Sequence, residues 1–266
     1  MRAWRVRLTG PIDGQAIPRV DVLGVGISAV TMDVTVREIA SWIDSGRRGY
    51  VCVTGVHGVM EAQRDPALSR IHNESGLTTP DGMPLVWASR WAGAAYVDRV
   101  YGPDLMLSLC AQAAARGWRS FFYGGKDGVS ERLARRLQAR FPGLVVAGTY
   151  SPPFRELTAA EDEQVVELIN GARPDLVWVG LSTPKQERWM AAHTDRVIAP
   201  ALLGVGAAFD IHAGLLPQAP RWMQRSGTEW LYRLAREPRR LWRRYLYSNP
   251  RFVMAILKHP PRLMGA

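Results

Sequence analysis

Short apolar runs alternate with helix-like segments along most of this chain, and that alternation constrains the fold more than any other feature. The apolar runs predict strands at residues 20–28, 50–54, 77–79, 118–123, 144–150, 175–180 and 197–204. Segments with apolar residues at helical spacing lie between them, at residues 35–44, 58–64, 84–91, 102–113, 129–140, 157–172 and 184–192. Because no hairpin signal links the strands, the pattern predicts an α/β fold: a Rossmann-like, mostly parallel sheet with helices on both faces. Sites in such sheets form at the carboxyl ends of the strands.

The composition changes after residue 219. Residues 220–266 carry nine of the ten net positive charges, and their arginines are interleaved with large apolar residues. We therefore expect an N-terminal arm at residues 1–20, an α/β catalytic core at residues 21–219 and a basic, amphipathic helical appendage at residues 220–266. Prolines at positions 238, 250, 260 and 261 are expected to divide the appendage into short helices. Such a segment favours contact with an anionic membrane surface.

The cysteines and the apolar runs limit the compartment. Cys52 lies in a predicted strand and Cys110 in a predicted helix, so a disulfide framework is not indicated and a reducing cytosol fits. Arginines interrupt residues 1–8 too often for a signal peptide. The longest apolar run, residues 197–209, is well short of the roughly 20 residues that span a bilayer. We expect a cytoplasmic protein that touches a membrane without crossing it.

A single carboxylate follows one of the predicted strands, in Thr79-Pro80-Asp81-Gly82. The proline restricts the backbone before the acid, the glycine after it permits a sharp turn, and an apolar helix follows. A turn of this kind presents Asp81 to a cleft, where it is a candidate general base. The alternative is an ordinary turn in which the aspartate bonds only to its own backbone.

Three further strand ends carry glycine or polar residues: Thr54-Gly-Val-His57, Gly124-Gly125-Lys126 and Gly180-Leu-Ser-Thr-Pro-Lys185-Gln-Glu187. Backbone N–H groups and Lys126 before a helix suit a phosphate, and Lys185 at the positive end of a helix dipole suggests an anion nearby. Plain turns, a solvated lysine and a satisfied, partly buried His57 are the alternatives. The chain contains no P-loop, Rossmann glycine motif, Asp-x-Asp or zinc spacing, so we expect no metal and no cofactor.

Six motifs, in this order, carry a resemblance to a known family. They are Thr79-Pro-Asp-Gly82, Gly102-Pro-Asp-Leu105, Phe121-Phe-Tyr-Gly-Gly125, Pro184-Lys-Gln-Glu187, Gly204-Val-Gly-Ala-Ala-Phe-Asp210 and Glu229-Trp-Leu-Tyr-Arg233. With them the chain resembles the WecG/TagA/CpsF glycosyltransferase family over about residues 20–247. The resemblance implies an inverting, metal-independent enzyme that moves a hexose, of the glucose or N-acetylmannosamine type, from a UDP-sugar to a polyprenyl-diphosphate-linked saccharide in bacterial surface or exopolysaccharide synthesis. It also implies a peripheral position on the cytoplasmic face of the inner membrane.

The resemblance implies roles for individual residues as well. It assigns the general base to Asp81, and the nucleotide or diphosphate cleft to Thr54, Gly124, Gly125, Gln186, Glu187 and Asp210. Without a metal, the charge of the departing diphosphate falls on backbone amides and cations, for which the candidates are Lys126, Lys185, Arg221, Arg225 and Arg233. The chain departs from the family at Val56, where an asparagine is common. We expect His57 to replace it, which favours a different hexose donor, such as glucose.

Two other classes of protein stay open from the sequence. A nucleic-acid-binding protein would use the basic appendage, but large apolar residues interrupt its arginines and the core carries no opposing basic stripe. A non-catalytic scaffold recruited to a membrane would leave the polar strand ends without a role. We expect no nucleic-acid partner. The donor hexose, the acceptor glycan and a homo-oligomer stay open.

Overall fold

The computed structural model describes residues 16–265, and a six-stranded parallel sheet lies at its centre. The strands are β1 (Arg19–Val22), β2 (Val25–Ser28), β3 (Gly49–Thr54), β4 (Leu77–Pro80), β5 (Arg119–Gly124), β6 (Val145–Tyr150), β7 (Leu176–Gly180), β8 (Ala201–Gly204) and β9 (Arg262–Leu263). The central sheet has the order β4-β3-β8-β7-β5-β6, and every neighbouring pair is parallel. The predicted α/β fold is confirmed. Most of the predicted N-terminal arm, residues 1–15, lies outside the described residues.

Helices surround the sheet. They are α1 (Met32–Ser45), α2 (Val56–Ala62), α3 (Pro66–Glu74), α4 (Met83–Trp91), α5 (Gly102–Arg116), α6 (Val129–Arg140), α7 (Ala159–Ala172), α8 (Lys185–His193), α9 (Ala208–His212), α10 (Arg221–Arg225), α11 (Glu229–Arg236) and α12 (Pro238–Lys258). Local capping fixes several ends; Thr158 and Glu161, for example, form a capping box at the start of α7. The sequence did not predict α3 or α9, although the N-cap Asp65 followed by Pro66 is a regular helix start.

Two apolar layers flank the sheet because the side chains of each strand alternate between its faces. Phe122, Trp178 and Leu203 pack with α1, α5 and α6 on one face. Phe121 and Val177 pack with α7 and α8 on the other face. Strands buried on both sides read as continuous apolar runs, and for this reason the sequence predicts them well.

The first predicted strand is a hairpin. Strands β1 and β2 pair antiparallel, and the turn residues Leu23 and Gly24 both have positive φ, 55° and 78°. A two-residue turn of this kind matches the natural twist of the strands. The prediction of one continuous strand was wrong because Leu-Gly lacks the usual Asn-Gly signal. The Thr78 N–H donates to the Ser28 hydroxyl at 3.0 Å, so the hairpin covers the β4 edge of the sheet.

The basic C-terminal segment folds onto the core. Helix α12 begins at Pro238 and continues through Pro250, so the prediction that this second proline divides the segment was wrong. Phe252, two residues after Pro250, is buried among side chains of the hairpin, α2, α3 and α4. This packing stabilises the helix although Pro250 has no N–H to donate. Strand β9 pairs antiparallel with β1. The domain boundary after residue 219 stays a prediction. Within residues 16–265 no helix is long and apolar enough to cross a bilayer.

Candidate active site

A cleft lies at the carboxyl ends of the central strands, between the core and the C-terminal helices. The loops after β3, β4, β7 and β8 form one wall, and α11 and α12 form the other. Its polar lining includes His57, Asp81, Arg99, Tyr101, Gln186, Asp210, Glu229, Arg233, Arg240, Arg244 and Asn249. A parallel sheet is expected to carry its site at this edge.

Asp81 is held firmly at the end of β4. Its N–H donates to the Thr54 carbonyl at 2.9 Å, and the Gly102 N–H donates to its carboxylate at 3.3 Å. Burial raises the pKa of Asp81 and Glu229 raises it further, while Arg99 opposes the shift. A fixed carboxylate with a raised pKa, open to a cleft, suits the general base predicted at this position.

Arg99 joins Asp81 to the C-terminal wall. Its Nε donates to the Asp81 main-chain carbonyl, and its Nη2 donates to the Glu229 carboxylate at 2.6 Å. The guanidinium also lies over the Tyr101 ring, 4.1 Å from the centroid. Only 13% of the Arg99 side chain and 12% of the Glu229 side chain are exposed. Removing one partner of such a shielded pair costs about 3–5 kcal/mol, because the other charge stays buried.

Three arginines of the C-terminal helices line the cleft: Arg233 from α11, and Arg240 and Arg244 from α12. Burial lowers the pKa of Arg244. Its Nε atom is buried and has no hydrogen-bond partner within residues 16–265. A guanidinium whose buried Nε donor is unused favours an anionic ligand in the cleft. Of the three, the sequence predicted only Arg233 as a binding residue.

His57 faces the cleft from the first turn of α2. Its Nδ1 lies 3.8 Å from a Glu61 oxygen, beyond hydrogen-bond range, and has no other partner among the described residues. Burial, helped by Arg244 and Arg64, lowers the pKa of His57 to about 4. The imidazole is therefore neutral at neutral pH, so its ring offers one hydrogen-bond donor and one acceptor to the cleft.

The start of α8 brings an amide into the cleft and a carboxyl behind it. Gln186 lines the cleft, and its buried Oε1 has no partner in the described part of the chain. Glu187 is fully buried; its Oε1 accepts from the Thr183 hydroxyl at 2.8 Å and from the Gln186 amide at 3.1 Å. Burial raises the pKa of Glu187. Glu187 therefore orients Gln186 and does not line the cleft itself.

The glycine-rich loop after β5 lies beside the cleft, near Asp210. Asp210 lines the cleft, and burial raises its pKa while nearby cations oppose the shift. Gly124 and Gly125 both have positive φ, and a Cβ on Gly124 would lie 2.7 Å from the backbone of Gly180. The Gly125 N–H donates to the Gly180 carbonyl at 3.0 Å, so it already has a partner. Neither glycine lines the cleft, and Lys126 is exposed next to them.

Four other predicted binding residues also lie outside the lining of the cleft. Thr54 is buried beneath the end of β3. Arg221 is held by an ion pair with Asp104 at 2.6 Å. Lys185 and Arg225 are exposed, at the start of α8 and the end of α10. A direct binding role for these four residues stays a prediction.

Sequence reasoning missed several polar residues of the cleft, among them Arg99, Tyr101, Glu229, Arg240, Arg244 and Asn249. Arg99 and Glu229 are 130 positions apart in the chain, so no local pattern connects them. Arg240 and Arg244 are four residues apart on one helix, and that spacing was the available signal for a shared face. Among residues 16–265 no three His, Cys, Asp or Glu side chains are grouped so that they could hold a metal ion.

Comparison with known proteins finds relatives over most of the chain. The chain is 31% identical over 219 residues to the N-acetylglucosaminyldiphosphoundecaprenol N-acetyl-beta-D-mannosaminyltransferase of Bacillus spizizenii. The matched region covers 82% of each chain. It is 28% identical over 250 residues to the protein of that name from Staphylococcus aureus, covering 93% of this chain and 96% of the relative. The corresponding Bacillus subtilis protein is 32% identical over 188 residues, 70% of each chain.

The sequence model of one family covers nearly all of the described residues. It matches residues 20–264, a range that includes the strand-end wall of the cleft and the C-terminal helices opposite. The six motifs noted in the sequence all fall within that range. The chain therefore belongs to the WecG/TagA/CpsF family of glycosyl transferases, and it is a glycosyltransferase.

Proposed function

We propose that this protein moves a hexose from a UDP-sugar to a saccharide carried on a polyprenyl diphosphate, with inversion at the sugar carbon and without a metal ion. The observation that carries the proposal is one fixed carboxylate, Asp81, across a cleft from three arginines. The relatives are named for transfer of N-acetylmannosamine to N-acetylglucosaminyldiphosphoundecaprenol, which supports a lipid-linked diphosphate acceptor here.

Asp81 acts as the general base. Its carboxylate takes the proton of the acceptor hydroxyl while that oxygen attacks the anomeric carbon of the donor. The new carbon–oxygen bond forms as the bond to the phosphate oxygen of UDP breaks, so attack from the opposite side inverts the configuration. The Gly102 N–H fixes the carboxylate, and the raised pKa of Asp81 strengthens it as a proton acceptor.

The cleft arginines receive the charge that develops on the departing diphosphate. Arg244 suits this role because its Nε donor is buried and unused within residues 16–265. Arg233 and Arg240 line the same cleft and add two further guanidinium groups. Guanidinium groups match pairs of phosphate oxygens. One well-placed donor of this kind typically supplies about 10²–10³-fold of rate.

The uridine end of UDP is assigned to the ends of β7 and β8. The Gln186 Oε1 atom lacks a partner among the described residues and accepts from a donor on the base. Asp210 accepts from the ribose hydroxyls. The loop at residues 124–126 borders this end and adds the positive charge of Lys126, which lowers the pKa of Asp210 against the effect of burial.

His57 is assigned to the transferred sugar. It lines the cleft together with Asp81, and its neutral ring offers one donor and one acceptor. We propose a donor hexose of the glucose or N-acetylmannosamine type. Two hydroxyl groups on adjacent sugar carbons would pair with both ring nitrogens of His57, which favours glucose.

The exposed side of α12 supports binding to the cytoplasmic face of the inner membrane. Exposed apolar side chains recur there at helical spacing, beside exposed arginines. The apolar residues are Trp242, Leu246, Val253 and Leu257, and the arginines are Arg239 and Arg243. Such residues enter the interface, while each arginine adds about 1 kcal/mol of attraction to anionic lipid. The boundary after residue 219 then separates the catalytic core from the segment that joins the cleft to the membrane.

A transfer assay tests the proposal. UDP-glucose, UDP-N-acetylmannosamine and other UDP-sugars are each offered with N-acetylglucosaminyl diphosphate on a short polyprenyl chain, in excess EDTA, and the product mass is measured. One UDP-sugar is expected to add one hexose unit, with or without EDTA. A lack of product from every donor would contradict the proposal, and a requirement for added Mg²⁺ would overturn its metal-independent part.

A further inference from the structure

The outer face of α4 begins at the active-site cleft and carries exposed aromatic side chains. Met83 lines the cleft two residues after Asp81. Trp87 and Trp91 follow at intervals of four, so the three side chains share one face of the helix. Trp87 is 49% exposed and Trp91 is 54% exposed. The α4 stripe, defined as Met83, Trp87 and Trp91, spans nine residues and extends about 12 Å away from the cleft.

The fold does not use this stripe for its core. On the opposite side of α4, Leu85 and Ala88 are buried with side chains of the β1–β2 hairpin, and they attach the helix to the protein. The two tryptophan rings of the stripe remain about half in solvent, and burial of their apolar surface against a ligand would be favourable. Contiguous apolar surface of this kind marks an interaction site.

The C-terminal segment meets the inner end of the stripe. Gly227, in the turn between α10 and α11, has a φ of 73°, and a Cβ there would lie 2.7 Å from the Trp87 ring and 3.3 Å from the Met83 Cβ. Gly227 and Trp230 both line the cleft. The stripe is therefore continuous with the cleft wall at its inner end, and Trp87 and Trp91 reach open solvent beyond it.

We propose that the α4 stripe binds the first isoprene units of the polyprenyl chain of the acceptor. The inference rests on the proposed function. With the acceptor hydroxyl at Asp81, the diphosphate and then the hydrocarbon extend away from the reacting atoms, and the chain needs apolar surface that starts inside the cleft and leads out of it. Isoprene methyl groups and double bonds pack well on the faces of tryptophan rings, which offer large, rigid apolar area.

Transfer to two acceptors that differ only in chain length tests this binding site. The measured quantity is the ratio of kcat/KM for a long polyprenyl acceptor in detergent to that for an acceptor with a short alkyl chain. The double variant Trp87→Ala/Trp91→Ala is expected to lower this ratio about tenfold, mainly through the KM of the long acceptor. Phe154→Ala is the matched control, because it removes an 88% exposed ring that does not line the cleft; the ratio should stay at the wild-type value.

Several results would overturn the proposal. An unchanged ratio would do so, and so would an equal loss with both acceptors, which would indicate damage to the cleft. Binding to acceptor-free phosphatidylglycerol vesicles is measured in parallel: lost vesicle binding with an unchanged ratio assigns the tryptophans to the membrane surface instead. If the double variant does not fold, Trp91→Ala alone, on the outer turn, is expected to show the same direction of change. Failure of the wild-type protein with both acceptors would contradict the proposed function, so the two failures are distinguishable.

Discussion

The two walls of the cleft differ in the side chains they supply and in how those side chains are held. The core wall presents Asp81 from the turn after β4 and Gln186 from the first turn of α8, both at the edge of the parallel sheet. The C-terminal wall presents long cations, Arg233, Arg240 and Arg244, from helices. The difference matches the chemistry proposed for each wall. A base must be positioned to within a fraction of an ångström, whereas a countercharge needs reach and a dry environment.

The Arg99–Glu229 ion pair joins the two walls. Arg99 contacts the main chain of Asp81 on the core side and the carboxylate of Glu229 on the C-terminal side. The position of the base is thereby coupled to the docking of α11. The predictions below separate the contributions of the walls, beginning with the largest effect.

Asp81→Asn removes the proton acceptor from the core wall. We expect transfer to fall by about 10²–10⁴-fold, since the amide keeps the shape of the side chain but cannot take a proton. The measurement is kcat at saturating donor, with the thermal unfolding midpoint as the control for folding. Turnover near the wild-type rate in a folded variant would exclude Asp81 as the base.

Arg244→Met removes a partly buried cation from the C-terminal wall while keeping much of its apolar volume. We expect kcat/KM to fall about 100-fold, in line with the loss of one donor to the leaving group. Arg243→Met is the matched control, because Arg243 is the neighbouring arginine and is exposed. An equal loss of kcat/KM in the two variants would show that the effect does not depend on whether the arginine lines the cleft.

The arginines of α12 divide into two groups that the sequence does not separate. Arg240 and Arg244 line the cleft, and Arg240 also pairs with Glu237, whereas Arg239 and Arg243 are exposed and lie outside the lining. Replacing the exposed pair by alanine is expected to weaken binding to anionic vesicles by about 30-fold at low salt, from about 1 kcal/mol for each arginine. Added salt should reduce the difference. Vesicle binding that stays unchanged would leave the membrane role of α12 without support.

The pH profile of kcat tests whether Arg99 and Glu229 control the pKa of Asp81. Asp81 must be ionised to accept a proton, so a raised pKa moves the acidic fall in kcat to a pH above the usual range of an aspartate. Glu229→Gln removes a carboxylate that raises this pKa and should shift the fall to lower pH. Arg99→Met removes a cation that lowers it and should shift the fall to higher pH. Shifts in the same direction in the two variants would contradict this coupling.

The core wall could largely be predicted from the sequence, and the C-terminal wall could not. Strands buried on both faces give continuous apolar runs, and the Pro-Asp-Gly turn marks Asp81, so both signals are local. The Arg99–Glu229 pair joins distant positions and leaves no local pattern. The continuation of α12 through Pro250 depends on packing against the hairpin, which outweighs the local preference of proline.

Proton acceptance is assigned to the core wall and diphosphate binding to the C-terminal wall. The most direct test is the affinity for UDP, measured by calorimetry on Asp81→Asn and Arg244→Met. The aspartate variant is expected to bind UDP as the wild type does, although it no longer turns over, because the base does not contact the diphosphate. The arginine variant should bind UDP at least about tenfold more weakly, since it lacks a guanidinium facing the phosphate oxygens. Wild-type affinity in Arg244→Met together with weakened affinity in Asp81→Asn would contradict the assignment of the two walls.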